Sequence, residues 1–283
     1  MFVGIGAQKA GTSWLADYFQ KHDEVLMSPL KELHYFDRFY AEKTYRGFTE
    51  RFKKALESTV KRVTPEDTAE NRALLEKCDL LLRRLKMGVD PDAFLDYFRS
   101  LYRGEKIFGE ISPSYSVLDR RAFEEMRKIH PEVRIIFIMR NPVDRYWSHL
   151  RFRIQQNPEF DPVKQFERKL SVPMYFERTD YRKTVNELEA VFNKEEILYL
   201  FYEHLFAKEA RQADRELEKV CDFFGISRRP AEREKVVRKS KGISLDPELR
   251  KKGIRHFLPV YEFVRERFGE ETPRSWIEDM ENL

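Results

Sequence analysis

The stretch that organises this chain is Gly6-Ala7-Gln8-Lys9-Ala10-Gly11-Thr12-Ser13, close to its start. It follows a short apolar run, residues 1–5, and leads into a helix-like segment, residues 14–19. A strand, a glycine-bearing loop and a helix in this order aim backbone N–H groups and a positive helix end at a phosphate. The stretch therefore predicts a P-loop-like phosphate site on a parallel α/β sheet.

The loop departs from the nucleotide-binding pattern G-x-x-x-x-G-K-[ST] at one position. Gly6, Gly11 and Ser13 fit the pattern. Thr12 stands where the lysine is expected, and the loop's only lysine, Lys9, has moved to its middle. This departure indicates a phosphate site adapted to something other than ordinary ATP or GTP.

A second apolar, β-branched run, residues 133–139, has the continuous pattern of a buried parallel strand. It ends in Arg140-Asn141-Pro142-Val143-Asp144-Arg145-Tyr146-Trp147-Ser148, where Asn141 and Pro142 predict the start of a helix. A nucleotide-hydrolysing enzyme is expected to carry a magnesium-binding Asp at such a strand end, but this strand ends in Arg140, a cation suited to phosphate. Two anion-binding corners without an obvious metal ligand indicate a nucleotide with phosphates at both ends of its ribose.

These segments resemble the sulfotransferases that use 3′-phosphoadenosine 5′-phosphosulfate (PAPS). The first loop resembles their 5′-phosphosulfate loop, and Arg140 through Ser148 resembles their 3′-phosphate segment. Three more blocks resemble the heparan-sulfate-type branch of that family. They are Lys31-Glu32-Leu33-His34-Tyr35-Phe36-Asp37, Gly109-Glu110-Ile111-Ser112-Pro113-Ser114-Tyr115 and Lys239-Ser240-Lys241-Gly242-Ile243.

The resemblance implies a role for each matching residue. Glu32 is the expected general base, because an acceptor hydroxyl must lose a proton as it attacks sulfur, with His34 as support or as the competing base. Lys9 would stabilise the leaving phosphate. The residues expected to bind the nucleotide are Lys9, Ala10, Gly11, Thr12, Ser13, Arg140, Ser148, Ser240, Lys241 and Gly242. The product would be 3′-phosphoadenosine 5′-phosphate, and no metal is required.

Two positions depart from the branch pattern. Ile111 replaces a lysine expected beside the sulfuryl group or acceptor, and Ile243 replaces the arginine of the closing loop. A site without those two cations is less suited to a polyanionic sugar chain. The acceptor hydroxyl therefore stays open among a carbohydrate, a small alcohol or phenol, a lipid headgroup and a carrier-bound intermediate.

Composition limits the class of protein. The 283 residues carry 53 Lys and Arg against 49 Asp and Glu, a net charge of +4 that does not by itself imply a nucleic-acid partner. Only Cys78 and Cys221 are present, so a disulfide scaffold is not expected and a reducing cytoplasm is favoured. The first strand begins at the N-terminus, and no apolar run approaches the roughly 20 residues of a membrane span. We therefore expect a cytoplasmic member without an anchor.

The expected architecture is one domain over residues 1–283. Five apolar segments predict strands, at 2–5, 25–27, 106–108, 134–139 and 197–202. Helix-period segments between them predict helices on both faces of a parallel sheet. A Lys-, Arg-, Glu- and Leu-rich stretch, residues 44–103, predicts a helical insertion or lid. One or two helices follow Asp246, with Pro259 and Pro273 as breaks or helix starts.

Two other functions fit parts of the sequence. A nucleotide-dependent phosphotransferase would use the degenerate loop with ATP and magnesium, although Thr12 in place of lysine argues against it. A catalytically silent nucleotide-binding protein would keep the loop but not depend on Glu32 and Lys9.

Overall fold

The fold is built on a single parallel sheet. The computed structural model describes residues 1–39, 42–231 and 242–283. Its five strands are β1 (Phe2–Gly6), β2 (Val25–Met27), β3 (Ile107–Ile111), β4 (Arg134–Met139) and β5 (Ile197–Phe201). They lie in the order β2-β3-β1-β4-β5, and every pair is parallel. The predicted α/β fold with helices on both faces of the sheet is confirmed.

The helices connect and cover these strands. They are α1 (Thr12–Gln20), α2 (Glu42–Val60), α3 (Ala69–Met87), α4 (Pro91–Arg99), α5 (Arg120–Ile129), α6 (Pro142–Gln156), α7 (Pro162–Leu170), α8 (Pro173–Glu177), α9 (Tyr181–Glu189), α10 (Tyr202–Leu205), α11 (Ala210–Phe224), α12 (Pro247–Phe268) and α13 (Arg274–Glu281). None of the helices in the described part of the chain has the length and apolar character that crossing a bilayer requires.

The strand order places the loop that follows β1 at the centre of the sheet. β1 lies between β3 on one side and β4 on the other. From the carboxyl end of β1 the chain runs toward β2 on one side of the sheet, and from the carboxyl end of β4 it runs toward β5 on the other. This divergence opens a crevice of the kind where α/β sheets bind ligands. The loop after β1 and the segment after β4 therefore border the same crevice.

The third strand is longer than the sequence predicted. Residues 106–108 were expected, but β3 begins at Ile107 and continues to Ile111. The added residues pair with β1, with Gly109 opposite Phe2 and Ile111 opposite Gly4. The physical reason lies in packing across the pair, because a Cβ on Gly4 would lie 2.6 Å from the side chain of Ile111. Gly4 thus leaves the space that Ile111 fills.

The predicted helical insertion corresponds to α2, α3 and α4, between β2 and β3. It packs on the chain that follows β2. The Phe94 ring of α4 lies 4.7 Å from Tyr35, and Arg84 of α3 donates from Nε to the Leu33 carbonyl at 2.5 Å. These contacts tie the insertion to residues 33–35.

Pro259 does not break a helix, contrary to the sequence prediction. It lies inside α12, and Pro273 immediately precedes α13. An interior proline costs a helix about 3 kcal/mol. The apolar side of α12 offsets that cost, because Phe257, Val260 and Val264 are fully buried.

Candidate active site

The loop after β1 carries its helix on a glycine. Gly11 precedes α1 and has a left-handed backbone, φ 85°. A Cβ at this position would lie 2.6 Å from the Phe206 ring, so both the backbone and the space require glycine. Thr12 and Ser13 form the first turn of α1, where backbone N–H groups have no carbonyl partner within the helix.

Lys9 and Arg140 meet across the crevice. Arg140 Nη1 donates to the Lys9 carbonyl at 2.8 Å, and its guanidinium lies 4.2 Å from the Tyr202 ring centroid. Arg140 Nε is buried and makes no hydrogen bond. The Lys9 ammonium lies 4.3 Å from the centroid of Phe152, on α6. The structure thus brings together two of the residues that the sequence singled out.

Helix α6 carries the rest of the segment that the sequence predicts to bind a second phosphate. Asn141 caps it as predicted, with its side-chain oxygen accepting from the backbone N–H groups of Val143 and Asp144. Ser148 is buried on this helix, and Arg151 follows one turn later. Burial and the nearby Arg140 lower the pKa of Arg151. Arg151 is a candidate phosphate contact that was not predicted from the sequence, although its place three residues after Ser148 on the same helix is a local signal for it.

The Lys31–Asp37 segment places a carboxylate, an imidazole and a second carboxylate in one row. Glu32 Oε2 lies 3.4 Å from His34 Nε2. His34 Nδ1 lies 2.5 Å from Asp37 Oδ2, which also accepts from Ser114 Oγ at 2.8 Å. The Phe48 ring stacks on the imidazole at 3.5 Å. Asp37 therefore orients the ring so that Nε2 points at Glu32.

The two carboxylates change the titration of His34. Burial alone would lower the pKa of His34, but the hydrogen bonds and charges of Asp37 and Glu32 outweigh it and raise the pKa above its ordinary value. The imidazole therefore holds a proton more firmly than a free histidine. A protonated ring between two carboxylates is suited to fixing the position of both.

Lys9, Glu32 and His34 share an unusual backbone. Their φ angles are 75°, 58° and 54°, and they are the non-glycine residues with positive φ in the described part of the chain. Such conformations cost free energy and concentrate at functional sites. The three residues predicted as catalytic are thus the three that the fold holds in the left-handed region.

Glu110 supports the segment of residues 31–37. It is fully buried on β3 and accepts from the Leu33 backbone N–H at 3.1 Å, Ser112 Oγ at 2.6 Å and Tyr115 OH at 2.5 Å. Burial raises the pKa of Glu110 against the effect of these hydrogen bonds. Ser112 Oγ also accepts from the His34 backbone N–H at 3.2 Å. These contacts give Glu110 a structural role.

Lys31 links the segment of residues 31–37 to the first turn of α1. Its Nζ donates to Ser13 Oγ at 2.6 Å and lies 3.9 Å from Glu32 Oε1. A cation thus stands between the first turn of α1 and the carboxylate. Lys31 was not among the predicted site residues, because its contact with Ser13 joins residues 18 positions apart in the sequence.

The neighbourhood of the loop is electropositive. Arg145 is fully buried, donates to Thr179 Oγ1 at 2.6 Å and approaches the Gln8 carbonyl at 3.5 Å. Burial lowers the pKa of Arg145 to about 10. Burial, followed by the charges of Arg145, Arg178, Lys9 and Arg153, lowers the pKa of His149 to about 2. A bound anion would relieve this concentration of positive charge.

The predicted closing loop falls largely outside the described residues. Ser240 and Lys241 lie outside them, while Gly242 is described and exposed. The Ile243 carbonyl accepts from Trp147 Nε1 at 3.1 Å, which places Ile243 beside α6. Ile111, at the other departure, is buried against Gly4. Within the described ranges, no group of three or more His, Cys, Asp or Glu side chains is arranged to hold a metal ion.

Comparison with known proteins links this geometry to one family. The model described as "Sulfotransferase family" matches residues 2–230. A sulfotransferase from Alicyclobacillus acidocaldarius has a similar structure, with a TM-score of 0.63, 21% identity and 97% of each chain covered. No curated protein matches the sequence.

Two further solved structures share the fold. The sulfotransferase domain of the Synechococcus PCC 7002 olefin synthase has a TM-score of 0.54 at 16% identity, over 93% of this chain and 94% of that one. The sulfotransferase domain from the curacin biosynthetic pathway has a TM-score of 0.55 at 15% identity, over 92% and 96%. At these identities the likeness concerns the fold alone.

Proposed function

The chain belongs to the sulfotransferase family, and we propose that it moves a sulfuryl group from PAPS to a hydroxyl group of an acceptor. The observation that carries this proposal is the meeting of the β1 loop and the β4 end through the 2.8 Å contact between Arg140 Nη1 and the Lys9 carbonyl. Two anion-binding corners on one crevice match a nucleotide with phosphates on both sides of its ribose.

The donor would lie with its phosphosulfate on the loop. The first-turn amides at Thr12 and Ser13, together with Lys9, would hold the 5′-phosphate. Arg140 and Ser148 would hold the 3′-phosphate, and Arg140 Nε, buried without a hydrogen bond, supplies a donor for it. Ala10 and Gly11 complete the loop, and Ser240, Lys241 and Gly242 would close over the nucleotide.

The transfer itself would be in line. The acceptor oxygen forms a bond to sulfur while the bond from sulfur to the bridging phosphate oxygen breaks. The electron pair of that bond leaves with 3′-phosphoadenosine 5′-phosphate. Lys9 stabilises the charge that develops on the leaving phosphate. The transferred sulfuryl carries less charge than a phosphoryl, so we propose that these fixed cations suffice without a metal.

The acceptor proton would pass to Glu32. A carboxylate within hydrogen-bond reach of the hydroxyl can take the proton as the oxygen attacks. The His34 ring contacts Asp37 through Nδ1 and Glu32 through Nε2, so Asp37 fixes the ring that in turn orients Glu32. We therefore assign Glu32 as the base and His34 as its orienting partner. Lys31, which contacts Ser13 and approaches Glu32, would keep the carboxylate close to the loop.

The acceptor is proposed only as a class. A small molecule, a carbohydrate or a carrier-bound intermediate would supply the hydroxyl. The K-E-x-H block supports placement near the heparan-sulfate-type branch. Two free, buried cysteines, Cys78 and Cys221, support a reducing, cytoplasmic setting.

Isothermal titration with 3′-phosphoadenosine 5′-phosphate, without magnesium, tests the donor. Wild type is expected to bind it, and Arg140→Ala is expected to lose about 1.5–3 kcal/mol with the lost phosphate contact. Arg99→Ala, which removes an exposed arginine of α4, is the matched control. Binding of ATP with magnesium but not of this nucleotide would replace the proposal with a phosphotransferase. Normal binding without transfer to any acceptor would favour a silent binding protein.

A further inference from the structure

The Asn141 side chain joins α6 to the C-terminal helices. Its Oδ1 caps α6 and also accepts from Tyr261 OH at 2.9 Å. Its Nδ2 donates to Asp279 Oδ2 at 2.8 Å. Asn141 is fully buried and Asp279 nearly so. The residue directly after Arg140 is therefore held by side chains from α12 and α13.

Arg250 completes this connection with paired hydrogen bonds. Its Nε and Nη2 donate to the two carboxylate oxygens of Asp279, each at 2.8 Å. Its Nη1 donates to Asp144 Oδ1 in the first turn of α6 at 2.7 Å. Burial opposes the charge of Arg250, but Asp144 and Asp279 together raise the pKa of its guanidinium. One arginine thus fixes α13 and the start of α6 relative to each other.

The backbone around Arg140 is held from the opposite side. Tyr181 OH donates to the Arg140 carbonyl at 2.7 Å, and the Arg140 backbone N–H approaches the same hydroxyl at 3.3 Å. The Asn141 backbone N–H donates to Glu203 Oε1 at 2.8 Å. The Trp276 ring of α13 lies 6.1 Å from Tyr181, so the same helix supports both sides.

We infer that Asp279 and Arg250 are positioning residues for the 3′-phosphate corner. They fix the Asn141 cap at the start of α6. Through this cap they set the backbone position from which the Arg140 side chain extends and the direction in which α6 presents Ser148. Both residues lie beyond residues 2–230, the part of the chain that matches the family model. The inference rests on the proposed function, because it assigns the nucleotide's 3′-phosphate to Arg140 and Ser148.

A comparison of two nucleotides separates positioning from stability. Asp279→Asn keeps the side-chain shape and removes the charge that Arg250 and Asn141 share. It is expected to weaken binding of 3′-phosphoadenosine 5′-phosphate about tenfold, the equivalent of one charge-assisted hydrogen bond. Binding of adenosine 5′-phosphosulfate, which has no 3′-phosphate, should stay unchanged. The measured quantity is the dissociation constant of 3′-phosphoadenosine 5′-phosphate divided by that of adenosine 5′-phosphosulfate, and Asp279→Asn should raise this ratio about tenfold.

Two further variants keep the test decisive. Tyr261→Phe removes only the hydroxyl that contacts Asn141 and Asp279, and it should shift the ratio in the same direction as Asp279→Asn. It therefore tests the inference even if Asp279→Asn does not fold. Glu278→Gln, which changes an exposed partner of Arg274 on α13, should leave the ratio unchanged. An equal loss of affinity for both nucleotides, or no loss for either, would leave the ratio unchanged and overturn the inference while the proposed function stands. Failure of wild type to distinguish the nucleotides would overturn both.

Discussion

His34 Nδ1 lies 2.5 Å from Asp37 Oδ2, and the same ring presents Nε2 to Glu32 at 3.4 Å. The imidazole therefore contacts a carboxylate at each nitrogen, and the two carboxylates differ in their exposure to solvent. Asp37 is buried, whereas the Glu32 side chain is 30% exposed. Of these two carboxylates, Glu32 is the one that a molecule from the solvent can reach, which supports its assignment as the base.

Replacement of Glu32 by Gln should remove the proton acceptor and keep the shape of the side chain. We expect kcat to fall by about 10²–10⁴-fold, the usual contribution of a positioned general base. Nucleotide affinity should be unchanged, because Glu32 is not assigned to the donor. Steady-state kinetics and titration with 3′-phosphoadenosine 5′-phosphate measure the two effects.

The matched variant is His34→Asn, because asparagine tolerates the left-handed backbone at this position. We expect a smaller loss of kcat than for Glu32→Gln. A large loss in His34→Asn beside near-normal activity in Glu32→Gln would assign the base to the imidazole.

Replacement of Asp37 by Asn should lower the pKa of His34. Wild-type His34 has a raised pKa, so its proton stabilises the folded state below the ordinary value of 6.5, and that stabilisation is lost as pH rises through the folded value. The variant should therefore lose about 1–3 kcal/mol of unfolding free energy at pH 6 and less at pH 9. Urea unfolding at both pH values, with NMR titration of the ring, measures this, and an equal loss at both would contradict the coupling.

Replacement of Lys9 by Ala should slow transfer by about 10²–10³-fold, as expected when one charged group that stabilises the transition state is removed. Donor binding should weaken less than turnover, because developing charge on the leaving phosphate is greatest during transfer. Single-turnover kinetics with labelled PAPS measure the chemical step. Lys53→Ala, on the exposed side of α2, is the control, and equal losses in affinity and rate would limit Lys9 to binding.

Glu203 should make stability fall as pH rises through a mildly acidic range. Burial raises its pKa from 4.5 to about 6, so the ionised carboxylate opposes folding above pH 6 and not below pH 4.5. The difference is about 2 kcal/mol. Glu203→Gln still accepts from the Asn141 backbone and should flatten this dependence. Urea unfolding at pH 5 and pH 8 tests it, with Glu209→Gln as an exposed control; parallel curves for wild type and Glu203→Gln would show that ionisation carries no penalty.

Much of the frame of the site is predictable from local sequence. Strand patterns, the loop glycines and the Asn141 cap depend on neighbours in the chain, and the structure confirms these features. The extension of β3 depends on Gly4 making room for Ile111, a contact between strands far apart in sequence. Local rules also predict a break at Pro259, but burial of α12 outweighs them.

Contacts that complete the candidate site are tertiary and leave no local signal. Lys31 reaches Ser13 across 18 positions, and Asp279 binds Asn141 across 138 positions. In the sequence, Lys31 and Asp279 each lie next to other charged residues, a pattern typical of an exposed surface. Ser240 and Lys241 lie outside the described residues, so their predicted closing role stays a prediction.

The left-handed backbones of Lys9, Glu32 and His34 set stability against chemistry in this protein. Each non-glycine residue in that conformation costs about 1–2 kcal/mol that glycine would not. Glycine at any of the three positions would relax the backbone and delete a side chain assigned to the reaction. A laboratory evolution experiment that rewards only heat resistance would thus favour glycine at positions 9 and 32, at the expense of the proposed reaction, but not at position 34, where the contacts of His34 with Asp37 and Phe48 stabilise the fold.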